Sequence, residues 1–153
     1  MRAGLIELRE KIVGAGPADA CLTLAYDQRI KSRIRVRLDN GRDAGLFMER
    51  GTVLRDGDLL KSDQGYVVEV KAAPEKVSTV MVKDRLLMAK VCYHLGNRHI
   101  PLQISENWVR YQTDHVLDEM LCSMGLEVLC NQARFEPESG AYSRHGSHHG
   151  HSH

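Results

Sequence analysis

Glycine-led turn signals crowd the first half of this chain. Asn40-Gly41, Arg50-Gly51, Asp56-Gly57 and Gln64-Gly65 follow one another so closely that short strands are what they allow. The residues between them are patterned accordingly. Lys31, Arg33, Arg35 and Arg37 alternate with Ser32, Ile34, Val36 and Leu38, a period of two that buries one face and leaves a basic, solvated one. Asn-Gly after such a run predicts a tight hairpin with positive φ at both turn positions. Leu46 and Met48 resume the alternation beyond it, and Tyr66–Val70 reads as a further strand. Residues 1–74 are expected to form a small all-β domain.

Ala72-Ala73-Pro74-Glu75 reads as a linker, because proline fixes its own φ and restricts its neighbour. Beyond it the pattern changes. Val77–Lys83 alternates as a strand. Asp84 caps a helix whose buried stripe is Leu86, Leu87, Met88, Val91 and Leu95, and Gly96 or Asn97 ends it in the left-handed conformation. Ile100, Leu102 and Ile104 face inward from a second strand, and Trp108–Gln112 forms a third. Asp114 caps a second helix with the stripe Val116, Leu117, Met120, Leu121 and Met124; Gly125 stops it, and Leu126–Cys130 is a fourth strand that can extend through Phe135. The order β-α-β-β-α-β over residues 75–137 predicts a ferredoxin-like unit with both helices on one face of an antiparallel sheet. A unit this small is marginal alone, so self-association or support from the first domain is expected. From residue 138 onward apolar residues nearly vanish, which predicts a disordered tail over 138–153.

Composition narrows the function. Apolar residues make up 42% and charged residues 27%, a soluble balance, and no apolar run is long enough to span a bilayer. The N-terminus carries acids and has no long apolar core, so a signal peptide and a membrane role are not expected and the cytoplasm is. The four cysteines, Cys21, Cys92, Cys122 and Cys130, form no CxxC pair and read as reduced, mostly buried thiols. A net charge of +1, acids close to the basic strip, and no aromatics interleaved with it argue against nucleic acid. No nucleotide-binding, hydrolase or zinc-protease motif is present, so the chain is not expected to be an enzyme.

The unevenness is in histidine. Of eight, five (His145, His148, His149, His151 and His153) fall in the last nine residues, and the first 93 residues have none. Neutral imidazole suits Zn, Cu and Ni, and a tract loosened by glycine and serine can present several rings to one ion. A cloning tag is usually an uninterrupted hexahistidine, and this tract is interrupted. His99, in the turn Gly96-Asn97-Arg98-His99-Ile100-Pro101, can cap the last helical carbonyls or be presented to solvent as a ligand. One imidazole holds a divalent ion weakly, and a two-fold axis near His99 supplies a second. His94, one turn earlier, reads as a partly buried structural histidine. His115 sits beside the Asp114 cap as a further candidate ligand.

Two stretches carry a family resemblance. Tyr93-His94-Leu95-Gly96-Asn97-Arg98-His99-Ile100-Pro101-Leu102-Gln103-Ile104, followed by Asp114-His115-Val116-Leu117-Asp118, resembles the UreE family of urease accessory proteins, the nickel metallochaperones. Phe135–Tyr142 ahead of a histidine tail is similar to the family's C-terminal end. The resemblance implies that the first domain is peptide-binding and that the second dimerises so that His99 of each subunit meets a shared Ni(II). The tail then adds imidazoles. Ni(II) is implied as cargo, with Zn(II) or Cu(II) as competitors. The implied partners are a second copy of the chain, the urease GTPase UreG and, through it, the urease apoprotein complex. Some members carry histidines where this chain has Gln112 and Thr113, so a second site there is not implied. The alternative reading is a generic Ni/Zn buffer that delivers to no partner.

Overall fold

The structure, a computed structural model, describes residues 4–14 and 16–140. Six N-terminal strands share one sheet: β1 (Ile6–Ile12), β2 (Ala20–Leu24), β3 (Arg33–Arg37), β4 (Asp43–Phe47), β5 (Leu59–Ser62) and β6 (Val67–Ala72), with a one-turn helix α1 (Tyr26–Arg29) after β2. The strand order is β2-β6-β5-β1-β4-β3. Its two ends meet: just past β3, the Asp39 N–H donates to Cys21 O on β2 (2.9 Å), and the Asp39 carboxylate accepts from the Thr23 hydroxyl (2.7 Å). The sheet thus curls around a core that includes Leu8, Leu22, Leu46, Leu60 and Val68. Arg33, Arg35 and Arg37 lie outside it, as the alternation predicts.

The β3–β4 hairpin is not the two-residue turn expected from Asn40-Gly41. Leu38 and Arg42 close it (Leu38 N–H to Arg42 O, 2.8 Å) around a three-residue loop in which Gly41 has φ 88° and Asn40 has no positive φ. The Asn40 side chain explains the choice. Its Oδ1 accepts from the Arg42 N–H (3.0 Å) and its Nδ2 donates to the Tyr66 hydroxyl (3.2 Å), a local bond that competes with the tighter turn.

The C-terminal part runs β7 (Pro74–Met81), α2 (Arg85–Gly96), β8 (Gln103–Ile104), β9 (Trp108–Gln112), α3 (His115–Ser123) and β10 (Val128–Arg134). Its sheet is antiparallel throughout, in the order β10-β7-β9-β8. Val91 and Leu95 of α2 and Leu117 and Leu121 of α3 share one core with Val80, Val109 and Tyr111, so both helices cover the same face. The caps are those expected. Asp84 accepts from the Leu87 N–H (2.8 Å), and Asp114 accepts from Val116 (2.9 Å) and Leu117 (3.1 Å). Gly125, at φ 85°, ends α3 with Gly125 N–H to Cys122 O and Leu126 N–H to Leu121 O, the paired bonds that satisfy a helix's last carbonyls.

Several expectations are corrected. Leu86 and Val116 are 64% and 58% exposed. Leu86 directly precedes the half-buried Leu87 and Val116 the buried Leu117, and one residue turns a helix by about 100°, which carries each off the stripe. Ile104 also faces out, and β10 begins at Val128 rather than Leu126. None of the four cysteines is buried: Cys122 and Cys130 are exposed, and Cys21 and Cys92 half-buried, all four as free thiols. The linker at Ala72–Glu75 shrinks to Ala73, whose N–H bonds Leu24 O (2.9 Å), and Pro74 opens β7, where a missing donor is tolerated. The two sheets also touch through Tyr26, which meets Phe135 edge-to-face at 5.6 Å and donates its N–H to Glu75 Oε2 (2.9 Å).

Candidate metal centre

His99 has φ 54° and is the one non-glycine residue with positive φ among those described. The left-handed position therefore falls on the histidine and not on Gly96 or Asn97, as the sequence suggested. Helix α2 runs through Gly96, and Asn97 is still right-handed at φ −64°. Two tighter bonds follow, Arg98 N–H to Leu95 O and His99 N–H to Gly96 O (both 3.1 Å). The chain must then reverse so that Leu102 can bury, and Pro101 holds Ile100 out of the helical region, which leaves His99 to make the reversal. The result is an exposed imidazole at the C-terminal end of α2. The partial negative charge there favours a bound cation.

The other candidates are placed differently. His94 is exposed, not partly buried, with its ring edge-on to Tyr93 at 5.4 Å. His115 opens α3 with its side chain 87% exposed and its Nε2 3.0 Å from Glu119 Oε1, one turn along. His145, His148, His149, His151 and His153, and the expected tail disorder over 141–153, lie outside the described residues. Among the described residues, no three His, Cys, Asp or Glu side chains stand together as a metal cage.

The chain leading into the tail is held as far as Ser139, not released at 138. The Glu136 N–H donates to Gln103 Oε1 (3.0 Å), the Glu138 N–H to Leu102 O (2.7 Å), and Arg55 Nη2 to Ser139 Oγ (3.1 Å). Leu102 lies three residues after His99, so the foot of the tail and the His99 turn share a loop. Sequence reasoning missed this arrangement and its centre, Arg29. That arginine is fully buried and donates to Leu24 O (3.1 Å), Leu54 O (3.0 Å), Phe135 O and the Glu136 carboxylate. One charged residue at the end of a one-turn helix leaves no periodic signal by which to find it.

Two further clusters bear on the chemistry. Tyr111, buried under α3, donates to Asp118 Oδ1 (2.5 Å), and burial followed by that carboxylate holds its phenol well above the ordinary range. Burial likewise raises the Cys92 thiol. On the outer face of the first sheet, Arg9 (4.6 Å) and Arg33 (5.9 Å) flank the Phe47 ring, an aromatic among the charges that the sequence pattern hid. Glu7 pairs with Arg9, and Asp43 with Arg35 and Arg37, so this is a solvated face with its own counter-charges. No helix among the described residues is long and apolar enough to cross a membrane.

Comparison with known proteins places the chain. Residues 8–73 match the N-terminal domain of the UreE urease accessory protein family, and residues 75–153 match its C-terminal domain. The chain is 54% identical to the urease accessory protein UreE of Alkalilimnicola ehrlichii over 138 residues, 90% of this chain and 85% of that protein. It is 55% identical to that of Proteus mirabilis over 122 residues (80% and 74%), and 51% identical to that of Citrobacter koseri over 152 residues (97% and 100%). These are accessory chaperones of urease maturation, a class distinct from enzymes. The chain belongs to the UreE family.

Proposed function

We propose that the chain is a nickel metallochaperone that carries Ni(II) as cargo and delivers it for assembly of the urease metallocentre. The observation that carries the reading is His99, exposed at a helix C-terminus in a left-handed backbone conformation that non-glycine residues uncommonly adopt. Two copies meet about a two-fold axis so that paired His99 rings hold the ion. Five tail imidazoles, His145, His148, His149, His151 and His153, complete its coordination and release it. The seven residues from Glu138 to His145 reach at most about 25 Å, so the first of these rings stays within range of the His99 turn. His115 with Glu119 offers one nitrogen and one oxygen as a weaker, peripheral pair.

On this reading the chain has three functional segments: a peptide-binding unit over 1–74, a metal-binding and dimerising unit over 75–137, and the tail over 138–153. The strand order and the shared helical face fit a ferredoxin-like reading of the second segment. Partners are a second copy of the chain, the urease GTPase UreG and the urease apoprotein complex, in the cytoplasm. Zn(II) and Cu(II) compete for the same imidazoles, with Cu(II) favoured by raw affinity.

Equilibrium dialysis of Ni(II) with light scattering tests this. His99→Ala is expected to abolish the ion held between subunits, whereas deletion of residues 143–153 lowers stoichiometry and leaves that ion in place. Ligation needs neutral imidazole and protons compete with the metal for it, so affinity is expected to be lower at mildly acidic pH than above neutrality. Equal affinity at pH 5.5 and 7.5 would count against histidine ligation. Failure to capture the urease GTPase from a purified mixture would leave a buffer and not a chaperone.

A further inference from the structure

We propose that Arg29 is a positioning residue that moors the foot of the histidine tail beside the His99 turn, and that this mooring is what the first sheet contributes to metal handling. The inference rests on the reading that His99 and the tail share an ion.

The strand order poses the problem. Strands β10 and β8 are opposite edges of the second sheet, three strand spacings apart or about 14 Å. The tail follows β10, whereas His99 precedes β8. A tail freed at Arg134 would start from the wrong edge. Instead the chain crosses by successive bonds. Arg134 O accepts from Arg110 Nη1 of β9 (3.1 Å), the Glu136 N–H reaches Gln103 of β8 (3.0 Å), and the Glu138 N–H reaches Leu102 (2.7 Å). Arg29 holds the midpoint of this crossing from the first sheet. Its planar fork binds Leu24 O and Leu54 O on one side, and Phe135 O and the Glu136 carboxylate on the other. The second Glu136 oxygen accepts from the Asp56 N–H (3.3 Å), which ties the same residue to the first sheet again. A lysine, a point charge on a flexible stem, cannot serve four acceptors in two directions.

Mooring matters because the tail acts through effective concentration, which falls as about the −3/2 power of tether length or more steeply. Release back to Arg134 lengthens the tether to His145 from seven residues to eleven, a loss of about twofold, and the displaced starting edge adds to it.

The test is a double-mutant cycle on the full chain with Ni(II) alone. The quantity read is the tail advantage, the ratio of Ni(II) affinity with the tail to that without residues 143–153. Arg29→Lys is expected to lower this ratio twofold or more while leaving the affinity of the tail-deleted chain unchanged. Gln103→Ala cuts the mooring at its far end without disturbing the buried arginine. It is expected to act the same way, and it carries the test if Arg29→Lys does not fold. Insertion of ten glycine and serine residues after Gly140 calibrates the scale at about a fourfold loss. An unchanged ratio in folded Gln103→Ala overturns the proposal, as does an equal loss with and without the tail. If tail deletion has no effect in the unaltered chain, the shared-ion reading fails and takes this inference with it.

Discussion

At φ 54°, His99 occupies a region where a side chain costs roughly 1 kcal/mol and glycine costs nothing. A histidine kept there for its ring makes the fold less stable than it need be. His99→Gly is therefore expected to keep or raise stability, by up to about 1 kcal/mol in urea denaturation with chelator present, while losing the ion between subunits. At an ordinary helical position the same change would cost roughly 0.3–0.5 kcal/mol. A clear loss of stability would show that the ring is a structural cap and not a ligand. The sequence made it legible that this histidine mattered, since it stands in a turn of a chain five of whose seven other histidines gather at one end. Its conformation was hidden. Glycine and asparagine outrank histidine for the left-handed region, but Pro101 and the burial of Leu102 decided where the reversal fell.

Among the elements, those bounded by local chemistry were readable and those defined by a neighbour were not. Asp114 fixes the start of α3 by accepting two N–H groups, a pattern visible in the sequence. Asp114→Ala is expected to cost about 1 kcal/mol, read in the same denaturation. The bond between β9 and α3 was invisible, because it joins Tyr111 to a carboxylate seven residues on, across two elements that no local pattern brings together. With its folded-state phenol held above the unfolded value, Tyr111 stabilises the protein fully below about pH 10. That contribution is lost as pH rises from about 10 towards the folded value, because only the unfolded chain then sheds the proton. Tyr111→Phe should cost about 1–2 kcal/mol at pH 7 and flatten the alkaline fall in stability relative to the parent chain. Parallel curves above pH 10 would mean that the phenol does not contribute to the linkage. The exposed Leu86 and Val116 failed for the same reason that Tyr111 was missed: a stripe is set by what lies opposite it.

For the whole molecule, two sheets were legible from the change of pattern near Pro74, but their coupling was not, because it depends on one buried cation and on chain returning from residues 135–139. That coupling predicts how the protein unfolds. Trp108 is the single tryptophan and lies on β9, so its fluorescence reports on the second sheet alone, whereas far-ultraviolet circular dichroism reports on both. In the parent chain the fork of Arg29 binds the sheets together, and the two probes should follow one urea transition. Arg29→Met leaves Leu54 O and Phe135 O without a donor, at about 1 kcal/mol or more apiece, while Leu24 O keeps the Ala73 N–H, so a total loss of roughly 2 kcal/mol is expected. Glu136 is 28% exposed at its side chain and can be partly rehydrated, so Glu136→Gln, which keeps an acceptor, should cost only about 1 kcal/mol. The diagnostic is not the size of the loss but its shape. In Arg29→Met the fluorescence and dichroism curves should separate, since the sheets are then joined by Ala73, the Tyr26–Phe135 contact and scattered, partly exposed polar bonds such as Tyr26–Glu75, Gln112–Asp27 and Arg134–Asp56. Coincident curves at a lower midpoint would mean that this remaining junction alone makes the two sheets one cooperative unit, and that Arg29 adds stability without joining them.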